Sequence, residues 1–266
     1  MVASMFNREK VMTAVEKAAD KNFLARILDR FEAVARHQGC EVTDFCDPSQ
    51  QALAERVLGR YTDPVREWRG GCDEAERRRL LIYPAYLEPG VVEDGIVLLE
   101  VTGNFKFQRV THRDFLGAFM SLGIKREKLG DIIVTDTGCQ IFADNGVKDY
   151  ITWNLQKIHR VTVRVREISR DELIIPAREV RNVSATVSSL RLDAVASAGF
   201  GASRTGMARE IAAEKVRLNW LVTTDSAASV KAGDVISIRG RGRLEVSEIR
   251  GTTKKGRISL VLKCYN

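Results

Sequence analysis

The sequence predicts an α+β fold in three parts: a helical N-terminal domain over residues 1–72, a ferredoxin-like middle domain over 73–180 and a basic domain over 181–266. Three observations carry this. Apolar residues recur at helical spacing in the first part. The second alternates short β-rich runs with helical patterns in the order β-α-β-β-α-β. The third holds all of the excess positive charge. Lys and Arg total 42 against 35 Asp and Glu, a net charge of +7. Residues 181–266 carry 15 basic and 7 acidic residues, a balance of +8, whereas residues 1–180 carry 27 and 28. A local excess of cations is the footprint of a polyanion-binding surface, and nucleic acid is the main polyanion of a cytoplasm.

Composition excludes several classes. Hydrophobic residues make up 44% and charged residues 29%, which is the balance of a folded globular chain. No unbroken apolar run reaches the ~18 residues of a membrane span. Arg8, Glu9 and Lys10 precede any apolar stretch, which is not the pattern of a signal peptide, so a cytoplasmic protein is expected. The five cysteines, Cys40, Cys46, Cys72, Cys139 and Cys264, are too scattered for a disulfide framework or a zinc pair. The three histidines, His37, His112 and His159, offer no Ser/His/Asp or Cys/His set. Neither a catalytic residue, a metal nor a cofactor is expected.

In the first part, Asn7 to Ala19 and Asn22 to His37 read as helices. Phe23, Ile27, Phe31, Val34 and Ala35 form the buried stripe of the second. Gly39 stops it. Glu41 to Asp47 is extended, and Ser49 starts a third helix through Leu58. In the second part, Leu80 to Tyr83 is a short apolar run and Ile96 to Val101 a strand. Phe105 to Val110 continues extended, and Arg113 to Leu122 is a helix. Ile132 to Thr135 and Gln140 to Ala143 are strands joined by the turn Asp136-Thr137-Gly138. Val147 to Ile158 is a helix and Val161 to Ile168 a strand. RNA-recognition domains share this RRM-like plan, but so do unrelated domains.

Two segments of the middle part invite a chemical reading. Gly70-Gly71 precedes Asp73, read as an N-cap, and Arg77, Arg78 and Arg79, read as a solvated or RNA-facing turn of helix. The segment lacks the Gly-Lys-Ser/Thr ending of a phosphate loop. Phe105, Phe107, Arg109 and His112 have the make-up of a base-stacking surface. Strand alternation puts both Phe rings on one face, and the core is the preferred place for them. Asp131, Asp136 and Asp144 sit at turns or strand edges, where Asp is common without metal.

The third part has the sharpest pattern. Leu190-Arg191-Leu192-Asp193 opens a helix in which Leu192, Val195, Ala196 and Gly199 share a face. Gly199-Phe200-Gly201-Ala202 ends it. Ser203 caps a second helix, Arg204 to Ala213, with Met207, Ala208, Ile211 and Ala212 inward. Lys215-Val216-Arg217-Leu218-Asn219 and the strand Val235 to Arg239, after Lys231-Ala232-Gly233-Asp234, follow. This order resembles the small RNA-binding domain named after ribosomal protein S-four. That family has Arg-Leu-Asp, a helix, Ser-Arg with an Ala-rich helix, a Val-x-Val-Asn strand and a Pro-Gly-Asp turn. Leu218 stands for the second Val and Ala232 for Pro.

The RNA-binding set expected from this segment is Arg191, Asp193, Ser203, Arg204, Arg209, Lys215, Arg217, Asn219, Arg239, Arg241, Arg243, Lys254 and Lys255. Helix N-termini and guanidinium groups both suit phosphate, and Arg engages it bidentately. Asp193 is read as orienting a nearby Arg or capping backbone. Arg239-Gly240-Arg241-Gly242-Arg243, if extended, aims three Arg to one face. Lys254 and Lys255 lie at a hairpin tip between Leu244–Ile249 and Ile258–Leu262, as a second phosphate contact or a soluble turn.

The whole arrangement, with Gly70-Gly71, Ala75-Glu76-Arg77, the Arg-Gly run at 239–243 and Thr253-Lys254-Lys255-Gly256-Arg257, resembles the bacterial YlmH family over nearly all of the chain. The resemblance implies rRNA and tRNA partners on the large ribosomal subunit. It also implies a role in ribosome-associated quality control of stalled peptidyl-tRNA. Related genes sit near cell-division genes, and photosynthetic relatives are tied to photosystem II. A monomer without catalysis is expected. The alternative is an RNA-modifying enzyme of pseudouridine synthase or methyltransferase type, with an S-four targeting domain. Against it, the single Arg-Leu-Asp belongs to the S-four motif, and no glycine-rich nucleotide loop follows a first strand. A protein-interaction scaffold with an accessory RNA domain is the third reading.

Overall fold

The computed structural model describes residues 8–13, 15, 18–59, 61–106, 108, 110–174, 180–238, 240–253 and 256–265. The chain divides into two compact units, residues 1–176 and 177–266.

The first unit opens with α1 (Arg8–Thr13) and α2 (Ala18–His37). Asn7, the expected start of the first helix, lies outside the described residues. Phe23, Leu24, Ile27, Leu28, Phe31 and Val34 line the buried side of α2. They pack against Leu53 and Leu58 of α3 (Pro48–Leu58). Ser49 does not cap α3. Asp47 does, accepting from the Gln50 amide at 2.9 Å while the Gln50 side chain accepts from the Asp47 amide. Pro48 then supplies a helical φ at the first position. Three strands complete this region: β1 (Glu41–Val42), β2 (Val65–Arg69) and β3 (Arg79–Tyr83), in the antiparallel order β1-β3-β2. The expected break between Cys72 and Asp73 therefore falls between two paired strands. Leu80 to Tyr83 is the buried centre of the first sheet, where Leu80 and Ile82 meet the α2 core.

The reading of Arg77, Arg78 and Arg79 as a helical, RNA-facing turn is overturned. Residues 73–77 run through a turn and bends and Arg78 bridges to Cys46; the Arg77 and Arg79 side chains go inward to carbonyls, and Arg78 donates to the nearby carbonyls of Ala75 and Asp73. Arg77 donates to the carbonyls of Phe45 at 2.9 Å and Leu129 at 3.0 Å. Arg79 donates to Thr43 O at 2.7 Å and pairs with Asp144 at 3.2 Å. The Glu76 amide reaches the Asp131 carboxylate at 2.6 Å. Burial lowers the Arg77 pKa and raises that of Asp131. Three cations in a row here are structural ties, because a buried guanidinium satisfies several carbonyls at once. Gly71 is equally structural. Its φ is +93°, and a Cβ there would lie 2.4 Å from the Phe142 ring.

The second half of this unit carries β4 (Ile96–Gly103), α4 (His112–Ser121), β5 (Leu129–Thr135), β6 (Gly138–Asp144), α5 (Lys148–Asn154), β7 (Lys157–Ile158) and β8 (Val161–Ile168). The sheet order is β5-β6-β4-β8-β7, all antiparallel, which is the ferredoxin-like arrangement with a short added edge strand. Phe115 and Phe119 of α4 and Ile151 of α5 pack on Leu99, Val101 and Ile141. The opposite face is covered too: Phe45 packs with Leu98, Phe142 and Ile168. Phe105 is not in a strand. It turns inward and meets Phe115 edge-on at 5.7 Å, so the core reading holds for it. Phe107 and Arg109 lie outside the described residues.

The second unit is a six-stranded antiparallel sheet with two helices against one face. Its elements are β9 (Val180–Val187), α6 (Leu192–Phe200), α7 (Arg204–Ala212), β10 (Val216–Leu218), β11 (Leu221–Val222), β12 (Val235–Ile238), β13 (Gly242–Thr252) and β14 (Ile258–Tyr265). The order is β11-β10-β12-β13-β14-β9. Leu192, Val195, Ala196 and Gly199 are buried as their spacing requires, with Met207 and Ile211 of α7 beside them. Ala212, expected inward, is exposed at the end of α7. The Arg-Gly run is not extended. Gly240 and Gly242 have φ of +84° and +88°, and the Arg241 amide closes a turn onto Ile238 O at 3.0 Å.

Candidate nucleic-acid interface

The site begins where α6 and α7 start side by side. Arg191 is the N-cap residue of α6 and Arg204 the first residue of α7. Between them Asp193 is buried, with its side chain only 7% exposed. Its carboxylate accepts from Arg191 Nε at 3.2 Å and Nη2 at 3.0 Å, and from Arg204 Nη2 at 3.2 Å. Burial alone would raise the Asp193 pKa. The hydrogen bonds and charges of the two guanidinium groups outweigh it and hold the pKa below the usual value. The Arg191 pKa is raised in turn, chiefly by its bond to Asp193. One carboxylate thus orients two partly exposed guanidinium groups, leaving N–H donors toward solvent.

The helix starts contribute less than expected. The Leu192 amide donates to Ala228 O at 2.9 Å and the Asp193 amide to Ser226 O at 3.1 Å. Those two groups are already spent on the 223–230 loop, so anion binding at α6 falls to the guanidinium groups. In α7, Ser203 Oγ accepts from the Gly206 amide at 3.1 Å, confirming Ser203 as a cap.

The other expected residues are spread out. Arg209 is five residues from Arg204, about 140° round the helix, and points away from the buried side of Met207 and Ile211. Lys215 and Arg217 are exposed, Arg217 on the sheet face opposite buried Val216. Asn219 is a turn residue with φ of +48°. Its amide donates to Asp234 at 2.8 Å, and its oxygen accepts from the Val235 amide at 2.9 Å. Arg241 pairs with Glu210 at 2.7 Å. Arg243 stacks over Trp220 and Tyr265, with centroid distances of 5.6 and 4.6 Å. Arg239, Lys254 and Lys255 lie outside the described residues. Sequence reasoning missed Trp220 and Tyr265, because the β13–β14 pairing brings Tyr265 to Arg243 and the β10-β12-β13 order brings in Trp220 from the turn after β10.

The chemistry on offer is donation. Burial pushes Cys46 up to about 11 and raises Cys139 as well, which keeps both as thiols. Among the described residues, no group of His, Cys, Asp and Glu is arranged to hold a metal ion. None of their helices is long and apolar enough to cross a membrane.

Comparison with known proteins agrees with this architecture. The family model described as "YlmH, N-terminal" matches residues 19–87, and "Putative RNA-binding domain in YlmH" matches residues 89–172. The break between them follows β3, in line with the first sheet. A protein of Bacillus subtilis (strain 168), "Ribosome-associated protein quality control protein P2", is 34% identical over 236 residues, spanning 89% of this chain and 91% of its own length. The solved structure "Cell division protein ylmH from Streptococcus pneumoniae" is 27% identical with a TM-score of 0.50, covering 60% of this chain and 98% of that one. Together, the two adjoining family matches and the 34% identity across nearly the whole chain make this protein a member of the YlmH family.

Proposed function

We propose that this protein is a cytoplasmic, monomeric, non-catalytic RNA-binding factor. It associates with rRNA and tRNA on the large ribosomal subunit and acts in quality control of stalled peptidyl-tRNA. The observation that carries this reading is the Arg191–Asp193–Arg204 cluster. Two guanidinium groups, 41% and 48% exposed, are held by one buried carboxylate at the start of adjacent helices. Such a pre-oriented pair suits the phosphate backbone, where Arg donors position a protein on RNA. The +8 balance of residues 181–266 adds long-range attraction. The name of the Bacillus subtilis relative, a ribosome-associated quality control protein, supports the ribosomal setting and the quality-control role. The match to an RNA-binding domain over residues 89–172 supports a second RNA contact in the near-neutral first unit. We assign tRNA to that contact and rRNA to the basic unit.

Two contacts on one assembly act as linked binders, so losing one reduces apparent affinity far beyond a single phosphate contact. The test measures affinity for purified large subunits with and without peptidyl-tRNA at one fixed salt concentration. Tighter binding to the peptidyl-tRNA-bearing subunit is expected. Equal affinities defeat the quality-control role and leave rRNA binding standing.

A further inference from the structure

We propose that the tRNA contact of the first unit lies at one end of its ferredoxin-like sheet, where the exposed cations Lys106, Arg113, Lys157, Arg160 and Arg164 gather from separate segments. The inference rests on the RNA-binding reading above and gives that second contact its residues. The near-neutral total of the unit hides this patch. Residues 101–113 and 150–166 hold seven Lys and Arg and no Asp or Glu.

The fold brings the two segments together. Thr102 faces Arg164 and Gly103 faces Val163, so β8 starts beside the end of β4. Lys106 follows that end by three residues. Lys157 in β7 faces Thr162 in β8, and Arg164 lies two residues further on. Strand alternation therefore puts Lys157 and Arg164 on one side of the sheet. Adjacent strands lie ~4.8 Å apart, so β7 and β4, on either side of β8, are separated by ~10 Å. Arg160 sits in the β7–β8 turn. His159 of that turn meets the Asp114 carboxylate at 3.0 Å, which ties the turn to the start of α4. Arg160 and Arg113, each one residue along the chain, flank this joint.

These cations are available. Among the described residues, none of the five is held by a carboxylate or a carbonyl. Arg166, by contrast, is paired with Glu100 at 2.7 Å and Glu172 at 3.1 Å, and Arg77 and Arg79 are spent on carbonyls. The acids beside the patch are Asp114 and Asp136. Asp114 accepts from the Thr111 amide at 2.8 Å and its hydroxyl at 2.7 Å, besides meeting His159, and Asp136 is exposed in the β5–β6 turn. Two acids do not balance five cations, and an excess of this kind attracts a phosphate backbone.

The surface that RNA-recognition domains use is closed here. Those domains stack bases on aromatic residues of the sheet face away from the helices. On that face Leu98 and Phe142 are covered by Phe45. Gln140, 1% exposed and two residues before Phe142, donates to Glu172 O at 3.0 Å and accepts from the Ile174 amide at 2.7 Å. The chain's own segments thus fill the centre of the face. RNA meets the cationic end instead, through phosphates, which position a structured RNA without reading its sequence.

The experiment uses the full-length protein and measures affinity for a purified tRNA transcript and for empty large ribosomal subunits at several salt concentrations. Lys157→Ala/Arg160→Ala/Arg164→Ala removes three charges at exposed positions. Lys157→Arg/Arg160→Lys/Arg164→Lys keeps them. The Ala variant should bind tRNA about tenfold or more weakly, with a salt slope shallower by about two to three steps of ~0.7–0.9. The charge-keeping variant should stay near wild type, and empty subunits should be bound equally by all three proteins. Unchanged tRNA affinity and slope in the Ala variant overturn the site. So does an equal loss in both variants, which would make these side chains structural. Weaker binding to empty subunits with tRNA binding intact assigns the patch to rRNA and overturns the tRNA contact. Failure of the broader RNA-binding reading is seen separately, as a wild-type protein that binds neither tRNA nor subunits.

Discussion

The Asp193 carboxylate and the Arg204 guanidinium lie 3.2 Å apart across the starts of two successive helices, eleven residues apart in sequence. Because Asp193 also takes two hydrogen bonds from Arg191, one buried acid sets the direction of two exposed cations. Replacing Asp193 by Asn keeps the shape and removes the charge. RNA affinity should fall several-fold although net positive charge rises, because the arginines lose their common anchor. Stability should fall by about 1–3 kcal/mol. Filter binding and thermal unfolding by circular dichroism read the two effects. Tighter RNA binding by Asp193→Asn would show that net charge, not orientation, governs affinity.

The depressed pKa of Asp193 gives a pH dependence of definite sign. A carboxylate whose folded pKa lies below its unfolded value of about 3.9 adds stability that is fully present above that value. The contribution is lost as pH falls through the folded pKa. The stability gap between wild type and Asp193→Asn should be constant near neutral pH and shrink below about pH 4. Urea unfolding of both proteins across acidic pH measures it. A gap that grows on acidification contradicts the assignment.

Salt should act strongly on RNA binding. The logarithm of affinity should fall linearly with the logarithm of salt concentration, by ~0.7–0.9 for each phosphate neutralised. Replacing Arg191 and Arg204 by Ala should make that slope shallower by about one to two such steps. Titrations at several salt concentrations give both slopes. Parallel lines for wild type and variant would mean these arginines do not meet phosphate.

Gly71 offers a structural control. Gly71→Ala forces a side chain into the Phe142 ring at a positive φ, and should destabilise the first unit by about 1–3 kcal/mol. Binding of an RNA hairpin through the second unit should persist below the unfolding temperature. Differential scanning calorimetry resolves the loss. An unchanged thermogram would mean that the 70–71 turn shifts at little cost.

Local patterns were the legible part of this chain. The spacing of Leu192, Val195, Ala196 and Gly199, and the cap at Ser203, depend on near neighbours and read through directly. So does β8, whose bounds match the run Val161 to Ile168. The ferredoxin-like order followed from element order. What stayed hidden depends on distant partners. β3 joins β1 and β2 through pairing over tens of residues, and Arg77 and Arg79 find carbonyls that no local pattern announces. β9 was missed because its alternating polar and small residues mark an edge strand only once β14 lies beside it. The Arg-Gly run looked extended, but glycine at positive φ favours a turn there. At the site, Asp193 as an orienting acid was legible from its place in Arg-Leu-Asp. The Trp220–Arg243–Tyr265 stack was not, since it forms across three separate segments.

The central claim is that Arg191 and Arg204 together anchor this protein to ribosomal RNA. Sedimentation of the full-length protein with purified large ribosomal subunits through sucrose, at one fixed salt concentration, tests it most directly. The Arg191→Ala/Arg204→Ala double variant is run beside wild type, with circular dichroism showing that both are folded. Wild type should travel with the subunits and the folded double variant should remain at the top of the gradient. Co-sedimentation of the double variant undiminished from wild type would contradict the account.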